Sequence, residues 1–243
     1  MQNAVLQISH FTKCYKKGVR AVDDMSLMVL PGDCYGFIGP NGAGKTTTLR
    51  AVAGVMDFDE GEIRITGHDI RREPIACKSV TAYIPDNPDI YQFLTGIQYL
   101  NFIADIFNVS DRSEKILRYA KAFDLHDHLN ELIGSYSHGM RQKLVIISAL
   151  IHAPKLLILD EPFVGLDPIA SHTLRGFMAD ICASGGAVFF STHVLEVAQK
   201  LCNKIAIIRG GRLAASGDTD KVCGARVLED VFLELEREAH TEA

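Results

Sequence analysis

A glycine-rich segment between an apolar strand and a helix restricts this chain to a small set of folds. Residues 39–46 read G-P-N-G-A-G-K-T and match the pattern G-x-x-x-x-G-K-[ST] at every fixed position. The apolar run at residues 34–38 predicts a central parallel strand, and residues 45–53 predict the helix that follows. Because glycine lets the backbone approach an anion closely and a helix N-terminus attracts it, the sequence predicts a phosphate-binding loop.

Each residue of this loop has an expected role towards a bound nucleotide. Lys45 is placed to reach the β- and γ-phosphates, and the hydroxyl of Thr46 is placed to coordinate Mg²⁺. The other residues expected to bind the nucleotide here are Gly39, Pro40, Asn41, Gly42, Ala43, Gly44 and Thr47.

A second apolar run ends in two adjacent acids. Residues 156–159 read L-L-I-L, and Asp160 and Glu161 follow directly. Acids at the carboxyl end of a parallel strand lie at the ligand crevice of an open α/β sheet. We therefore expect Asp160 to hold Mg²⁺ through water, and Glu161, on the opposite face of the strand, to position or deprotonate the attacking water. Without the glycine-rich loop, the two acids would be an ordinary solvated strand end.

Composition and charge limit the classes of function. The chain is 47% hydrophobic and 23% charged, which is typical of a folded globular protein. Its formal net charge of -5 excludes the basic field that binds nucleic acid, so no nucleic-acid partner is expected. No apolar run approaches the roughly 20 residues that cross a bilayer, and residues 1–3 begin no signal segment. A cytoplasmic location is therefore expected.

The cysteines and most of the histidines carry no ligand pattern. The six cysteines contain no C-x-x-C pair, so we expect reduced, mostly buried thiols rather than a metal or disulfide framework. Eight of the nine histidines, including His126 and His128, have no ligand spacing and are expected at the surface.

The remaining pattern predicts one domain over residues 1–243 with an antiparallel layer near its N-terminus. Alternating apolar residues before residue 30 and at residues 63–65 predict edge strands, with Asp23 and Asp24 in a polar turn. The pair Gly210-Gly211 predicts a β-hairpin in the second half of the chain.

Helices are predicted in the middle and at the end of the chain. Residues 87–150 are expected to form an inserted helical subdomain, in which Asp111 caps a helix three residues before Glu114. A last helix with an acidic face is expected at approximately residues 228–238.

Further segments resemble the motifs of ABC-type ATPases, in that family's order and over essentially the whole chain. The signature L-S-G-G-Q is resembled by Y-S-H-G-M at residues 136–140, just before an apolar helix expected from Leu144. The other matching positions are the D-loop at residues 162–168, the switch histidine His193, the Q-loop at residues 83–86 and the adenine-stacking aromatic Tyr15.

The resemblance implies roles for residues that the two motifs above do not explain. Ser137 and Gly139 would contact the γ-phosphate of ATP bound by an opposite subunit, and His193 would act in catalysis. Tyr15 would stack on adenine, although an ordinary strand tyrosine is the alternative. Asp86 stands where the family has Gln, and its shorter carboxylate could bind Mg²⁺ or a water.

Departures from the family pattern occur in the signature. Tyr136 replaces Leu, His138 replaces Gly and Met140 replaces Gln. A protonated His138 could add positive charge at the phosphate, but a tolerated loop residue is the simpler interpretation.

The resemblance implies an α/β fold with a RecA-like P-loop NTPase core, an antiparallel β-subdomain and the inserted α-helical subdomain. The expected function is the ATP-binding and ATP-hydrolysing subunit of an ABC transporter, driven by ATP-dependent dimerisation with a second nucleotide-binding subunit. A separate polytopic permease would be its other partner, which places the chain at the inner face of the cell membrane. Exporter-type, ABC-2-like members are the most similar, because residues 228–235 resemble their C-terminal segment.

Two alternatives remain at this point. A soluble ABC ATPase of iron–sulfur cofactor assembly would have a soluble partner instead of a permease. An ABC protein acting on nucleic acid or translation usually has two cassettes or a long coiled coil before the signature. Lys45 and Ser137 are only 137 − 45 = 92 positions apart, so no long coiled coil fits between them.

Overall fold

Two β-sheets with opposite hydrogen-bonding patterns form the scaffold of the protein. The computed structural model describes residues 4–15 and 18–241; residues 1–3, on which the signal-segment expectation partly rests, lie outside that range. The strands in the described residues are β1 (Leu6–Tyr15), β2 (Val19–Val29), β3 (Cys34–Ile38), β4 (Glu60–Ile65), β5 (His68–Asp69), β6 (Thr81–Ile84), β7 (Leu156–Asp160), β8 (Ala187–Thr192), β9 (Lys204–Arg209) and β10 (Arg212–Asp218).

The larger sheet is the parallel core that the apolar runs predict. Its strand order is β10-β9-β3-β8-β7-β6, and all neighbours pair in parallel except the terminal hairpin β9–β10. Both faces of this sheet are covered, since Leu156 and Ile158 belong to one hydrophobic core and Leu157 and Leu159 to the other. Continuous apolar strands of this kind need helices or a second sheet on each face.

The smaller sheet confirms the antiparallel layer but not its predicted turn. Its order is β2-β1-β4-β5, with antiparallel pairing throughout. Asp23 and Asp24 lie inside β2 rather than in a turn. Asp24 has a φ of 52° next to a register shift in the β1–β2 ladder, so the two acids mark a bulge in a continuous strand.

The helices cover the parallel sheet and form a lobe beside it. They are α1 (Lys45–Val52), α2 (Pro74–Ser79), α3 (Gly96–Ile106), α4 (Arg112–Ala122), α5 (His138–Leu150), α6 (Pro168–Ala183), α7 (Leu195–Leu201), α8 (Thr219–Cys223) and α9 (Leu228–Thr241). Helices α3, α4 and α5 lie within the range predicted for the helical subdomain. No helix among the described residues is long and apolar enough to span a membrane.

Two predicted helix boundaries were wrong, and one predicted cap lacks its side-chain hydrogen bond. Helix α4 begins directly after Asp111, as predicted, but Asp111 has a left-handed φ of 54° and its side chain makes no capping hydrogen bond. The capping box of the lobe lies instead at the start of α3, between Thr95 and Gln98. Helix α5 begins at His138 rather than at Leu144, and α9 continues to Thr241 rather than ending near residue 238.

The cysteines of the chain are free thiols, as expected, and three of them meet beside β3. Cys34, Cys182 and Cys202 come from β3, α6 and the end of α7. The contact with Cys182 lowers the pKa of Cys34, but hydrogen bonding with Cys202 and burial outweigh it, so that the pKa of Cys34 is raised. Gly36, two residues further along β3, makes room for this cluster. A Cβ atom at Gly36 would lie 2.7 Å from the Sγ atom of Cys202.

This contact predicts that Gly36→Ala destabilises the protein. We expect a loss of about 1–3 kcal/mol in the free energy of unfolding, because the added methyl group overpacks a buried site. In a Cys202→Ala background most of that loss should disappear, since the sulfur atom is gone. Urea unfolding of the four proteins in this double-mutant cycle measures the effect; equal losses in both backgrounds would contradict the assigned contact.

Candidate functional site

The glycine-rich loop connects β3 to α1 and lies closely against neighbouring backbone. Gly44, the N-terminal cap of α1, has a φ of 110°, which side-chain-bearing residues rarely adopt. A Cβ atom there would lie 2.5 Å from the carbonyl oxygen of Ala21, and one at Gly39 would lie 2.4 Å from that of Ile208. The glycines are therefore required by close contact as well as by backbone conformation.

Lys45 is buried inside this loop with its charge satisfied by backbone oxygens. Its Nζ atom donates hydrogen bonds to the carbonyl oxygens of Gly39 at 2.6 Å and Pro40 at 3.2 Å. Burial lowers the pKa of Lys45, and the nearby carboxylates of Glu161 and Asp160 oppose that shift. A lysine held in this way can turn its charge towards phosphate oxygens in the adjacent cavity.

The two acids at the end of β7 have different environments. Asp160 is buried, and its Oδ1 atom accepts a hydrogen bond of 2.5 Å from the hydroxyl of Ser191 on β8. Glu161 leaves the strand with a left-handed φ of 49°. Its carboxylate lies 2.9 Å from Nδ1 of His193, so the predicted base and the predicted switch histidine are in direct contact.

A cavity of about 410 Å³ brings most of the predicted nucleotide-binding residues together. The predicted residues that line it are Tyr15, Pro40, Asn41, Gly42, Gly44, Lys45, Thr46, Thr47, Asp86, Asp160 and Glu161. Tyr15 stands at its edge, with its hydroxyl 3.2 Å from Oγ1 of Thr47. Gly39 and Ala43 belong to the loop but do not line the cavity, and His193 reaches it through Glu161.

The signature residues lie outside this cavity, at the N-terminus of α5. Ser137 is the cap of that helix, and its hydroxyl accepts a hydrogen bond from the backbone N–H of Met140 at 3.2 Å. Gly139 lies close to the D-loop, since a Cβ atom there would be 3.2 Å from the carbonyl oxygen of Gly165. The ring of His138 packs against the same Gly165. The site within one chain therefore contains the phosphate loop and the acids but not Ser137.

An ion pair fixes the D-loop to the signature helix. Lys143 of α5 lies 2.8 Å from Asp167, and this lysine lowers the pKa of the Asp167 carboxyl. Asp167 also caps α6 by accepting a hydrogen bond from the backbone N–H of Ala170.

The sequence motifs did not single out one central residue of the site, Ser191. Its hydroxyl donates to Asp160 and accepts a hydrogen bond of 3.1 Å from the backbone N–H of Glu161. One fully buried side chain thereby orients both acids. Its place two residues before His193 is the signal that could have found it. Val19, Arg20 and Ala21 of β2 also line the cavity, and no motif points to them.

The oxygen donors of the cavity fit a hard divalent cation. Thr46 offers a hydroxyl, Asp160 a carboxylate with one oxygen held by Ser191, and Asp86 lies on the same wall. Within residues 4–15 and 18–241, no group of three or more His, Cys, Asp and Glu side chains is arranged to hold a metal. Mg²⁺ usually needs only one or two protein carboxylates, because phosphate oxygens and waters complete its shell.

A parallel core with a phosphate loop, paired acids and a helical lobe defines a P-loop nucleotide-binding protein, and comparison with known proteins specifies which. The family model described as ABC transporter matches residues 22–164. The uncharacterized ABC transporter ATP-binding protein YhcH of Bacillus subtilis is 37% identical over 210 residues, which cover 86% of this chain and 68% of that protein. The Nod factor export ATP-binding protein I of Cupriavidus metallidurans is 33% identical over 233 residues, 94% and 76% of the two chains.

A solved structure of an ATP-binding subunit of an ABC transporter superposes with a TM-score of 0.91, at 31% identity and over 96% of this chain and 99% of that one. The chain therefore belongs to the ABC transporter family. It is an ATP-binding subunit of an ABC transporter and an ATPase, with the P-loop fold expected from its motifs. The alternative of an iron–sulfur assembly ATPase has no support among these relatives.

The position of Ser191 predicts that Ser191→Ala raises the Mg²⁺ concentration that ATP hydrolysis requires. Without the hydroxyl, Asp160 loses the group that orients it, and residues of this kind are typically worth about 10- to 100-fold in metal affinity or activity. We expect the Mg²⁺ concentration for half-maximal ATP hydrolysis to rise by such a factor. Ser148→Ala is the matched control, because Ser148 is also buried but donates to Val145. Equal Mg²⁺ dependence in the two variants would contradict this role.

Proposed function

We propose that two nucleotide-binding subunits pair head to tail and hydrolyse ATP at their interface. The observation that carries the proposal is the separation of Ser137 from the cavity that holds Lys45, Asp160 and Glu161. A helix N-terminus capped by a serine hydroxyl is an anion site, yet within one chain Ser137 does not line the cavity of the phosphate loop. A second subunit turned the opposite way supplies it to the γ-phosphate.

The geometry supports a division of roles inside each composite site. Lys45 and the loop N–H groups hold the β- and γ-phosphates, while Tyr15 contacts adenine. Thr46 and Asp160 would hold Mg²⁺, which would supply positive charge against the phosphates. Glu161 orients or deprotonates the attacking water, and its contact with His193 fixes the carboxylate at the cavity.

Ser137 and Gly139 of the second subunit complete this site. Gly139 leaves no side chain between the helix N-terminus and an incoming phosphate, and the backbone N–H groups of α5 provide partial positive charge there. Asp86 contributes a carboxylate on the cavity wall, where it can bind Mg²⁺ or a metal-bound water. Its position after β6 also connects the nucleotide to the helical lobe.

Residues 1–243 are proposed to act as one nucleotide-binding domain, with the lobe at residues 87–150 as its subdomain. Its work is the export of a substrate through a separate polytopic permease, with the chain cytoplasmic and peripheral on the inner face of the cell membrane. The Nod factor export relative supports this direction, since it is similar over 94% of the chain.

An exposed aromatic cluster marks where a permease would bind. Tyr91, Phe93 and Phe102 are 52%, 74% and 44% exposed, and their ring centroids lie 5.7 Å (Tyr91–Phe93) and 6.0 Å (Tyr91–Phe102) apart. We call these three residues the aromatic patch. Exposed aromatic rings that contact one another form a contiguous apolar surface, which is typical of an interaction site rather than of scattered surface residues.

A groove next to the aromatic patch provides polar anchor points. It has a volume of about 270 Å³ and is lined by residues of β6, α3 and α5. Tyr83 and His152 both line it, and each has a buried polar atom, Oη and Nδ1, without a hydrogen-bond partner. His152, predicted to lie at the surface, is instead stacked on Phe107 with ring centroids 3.9 Å apart. A helical segment of a permease could fill the groove and satisfy the Nδ1 atom of His152.

The composite-site proposal predicts that Glu161→Gln stops hydrolysis and traps a dimer. We expect hydrolysis to fall by at least about 100-fold, because the general base is lost while ATP binding is kept. Gel filtration with ATP should then show a species of twice the monomer mass. Glu196→Gln, which changes an exposed acid on α7, should leave both properties unchanged. A variant that stays monomeric and fully active would refute the mechanism.

The docking proposal predicts that Phe93→Ser weakens association with a membrane protein. The tagged chain would be crosslinked in its native cells, the membranes solubilised and the co-purifying proteins identified. We expect recovery of a polytopic membrane protein, reduced by about 10-fold in Phe93→Ser, as for a central aromatic interface residue.

Ile75→Ser is the control, because Ile75 is 84% exposed but lies on α2, away from the patch. Equal recovery with the two variants would contradict docking at the aromatic patch. If only a soluble partner is recovered and the membrane fraction yields none, the proposal that the partner is a permease is overturned.

A further inference from the structure

Two short segments of the helical lobe are joined by backbone hydrogen bonds into one unit. Residues 92–97 begin within the aromatic patch and run into α3, and residues 129–134 precede the signature. We call this pairing the ladder, and Thr95 and Leu132 form its central antiparallel bridge. Its hydrogen bonds run from Ile97 N to Leu129 O at 2.8 Å, Gly96 N to Glu131 O at 3.3 Å, Ile133 N to Leu94 O at 2.9 Å and Gly134 N to Gln92 O at 2.9 Å.

The side chain of Tyr136 stabilises this ladder. It is buried, and its hydroxyl donates a hydrogen bond of 2.7 Å to the carbonyl oxygen of His128, which precedes the ladder. The ring passes so close to α3 that a Cβ atom at Gly96 would lie 2.4 Å from the phenolic oxygen. Burial raises the pKa of Tyr136 to about 12, so its hydroxyl stays a donor at neutral pH.

Tyr136 directly precedes the signature serine, so the positions of the two residues are closely coupled. Tyr136 is extended, with φ −69° and ψ 141°, and Ser137 follows directly as the cap of α5. Any shift of the Tyr136 ring relative to α3 therefore moves the capping hydroxyl. Phe93 lies within the ladder, so one residue of the aromatic patch belongs to the same hydrogen-bonded unit as Tyr136, which directly precedes Ser137.

We infer that Tyr136 is a positioning residue that holds Ser137 for the ATP of the opposite subunit and ties that position to the aromatic patch. This inference rests on the proposed head-to-tail dimer. Leucine, which the signature of ABC ATPases has at this place, can fill space but cannot donate to His128. The hydroxyl is therefore a feature by which this chain fixes its signature through a specific bond.

The test uses the Glu161→Gln protein, in which ATP binding and dimerisation can be measured without hydrolysis. Tyr136→Phe removes only the hydrogen bond. We expect the ATP concentration for half-maximal dimerisation to rise by about 5- to 10-fold, the effect of one buried hydrogen bond. Binding of a fluorescent ATP analogue to the monomer at low protein concentration should not change, because Ser137 does not line the cavity of its own chain.

A double-mutant cycle separates positioning from general damage. Gly96→Ala should disturb dimerisation strongly when Tyr136 is present and weakly in Tyr136→Phe, since the clashing oxygen is then absent. Tyr119→Phe is the matched control, because it removes a hydroxyl from α4 in the same lobe, far from the signature in sequence. In the Glu161→Gln background, this control variant should dimerise at the same ATP concentration as Glu161→Gln alone.

The outcomes distinguish this inference from the proposed function. If Glu161→Gln itself does not dimerise with ATP, the head-to-tail proposal fails and takes the inference with it. If Glu161→Gln dimerises and Tyr136→Phe dimerises equally well, the positioning role of Tyr136 is overturned and the dimer stands. A loss of monomer ATP binding together with dimerisation would also overturn it, because that result indicates a merely structural role.

Discussion

The close packing of the phosphate loop against two separate pieces of backbone is the constraint on which the rest of the structure depends. Gly44 lies against Ala21 of the antiparallel sheet, and Gly39 lies against Ile208 of the parallel sheet. The backbone N–H of Gly211 donates to the carbonyl oxygen of Ala43, so the β9–β10 hairpin closes over the same loop. The loop is thus the place where both sheets meet, and its conformation requires both to be in position.

The two acids at the end of β7 depend on a second shared contact. Asp160 and Glu161 leave β7 in different directions because Glu161 adopts a left-handed conformation, which costs energy for a residue with a side chain. Ser191 stabilises that arrangement by bonding to the carboxylate of one and the backbone of the other. The proposed metal ligand and the proposed base are therefore both oriented by one hydroxyl.

The parts of the structure that the sequence predicted are those set by local patterns. The phosphate loop, the acids after an apolar strand and the Gly210-Gly211 hairpin are encoded within a few residues, and the P-loop fold follows from them. The predictions that were wrong concern positions where other conformational constraints outweigh the local sequence pattern. Asp111 stands at the N-cap position of α4, but with its left-handed backbone it makes no side-chain capping hydrogen bond.

Tertiary contacts explain the residues that the motifs missed. Asp23 was placed in a turn, yet it accepts hydrogen bonds from Arg20 and from Arg212, 189 positions away, which hold it inside a strand. Ser191 matters because β8 lies beside β7, a neighbourhood that no local pattern reveals. The roles of the individual site residues, among them Ser137, Gly139 and Tyr15, remain predictions.

The arrangement of β3 has a consequence for how the protein is synthesised. Its neighbours in the sheet are β8 and β9, so Gly36 pairs with Phe190 on one side and Ile205 on the other. The phosphate loop is synthesised before the strands that support it, since β8 begins 187 − 46 = 141 residues after Thr46 and β9 follows later still. The nascent chain therefore carries an unformed nucleotide pocket through most of translation, and ATP can stabilise the protein only after the β9–β10 hairpin has left the exit tunnel.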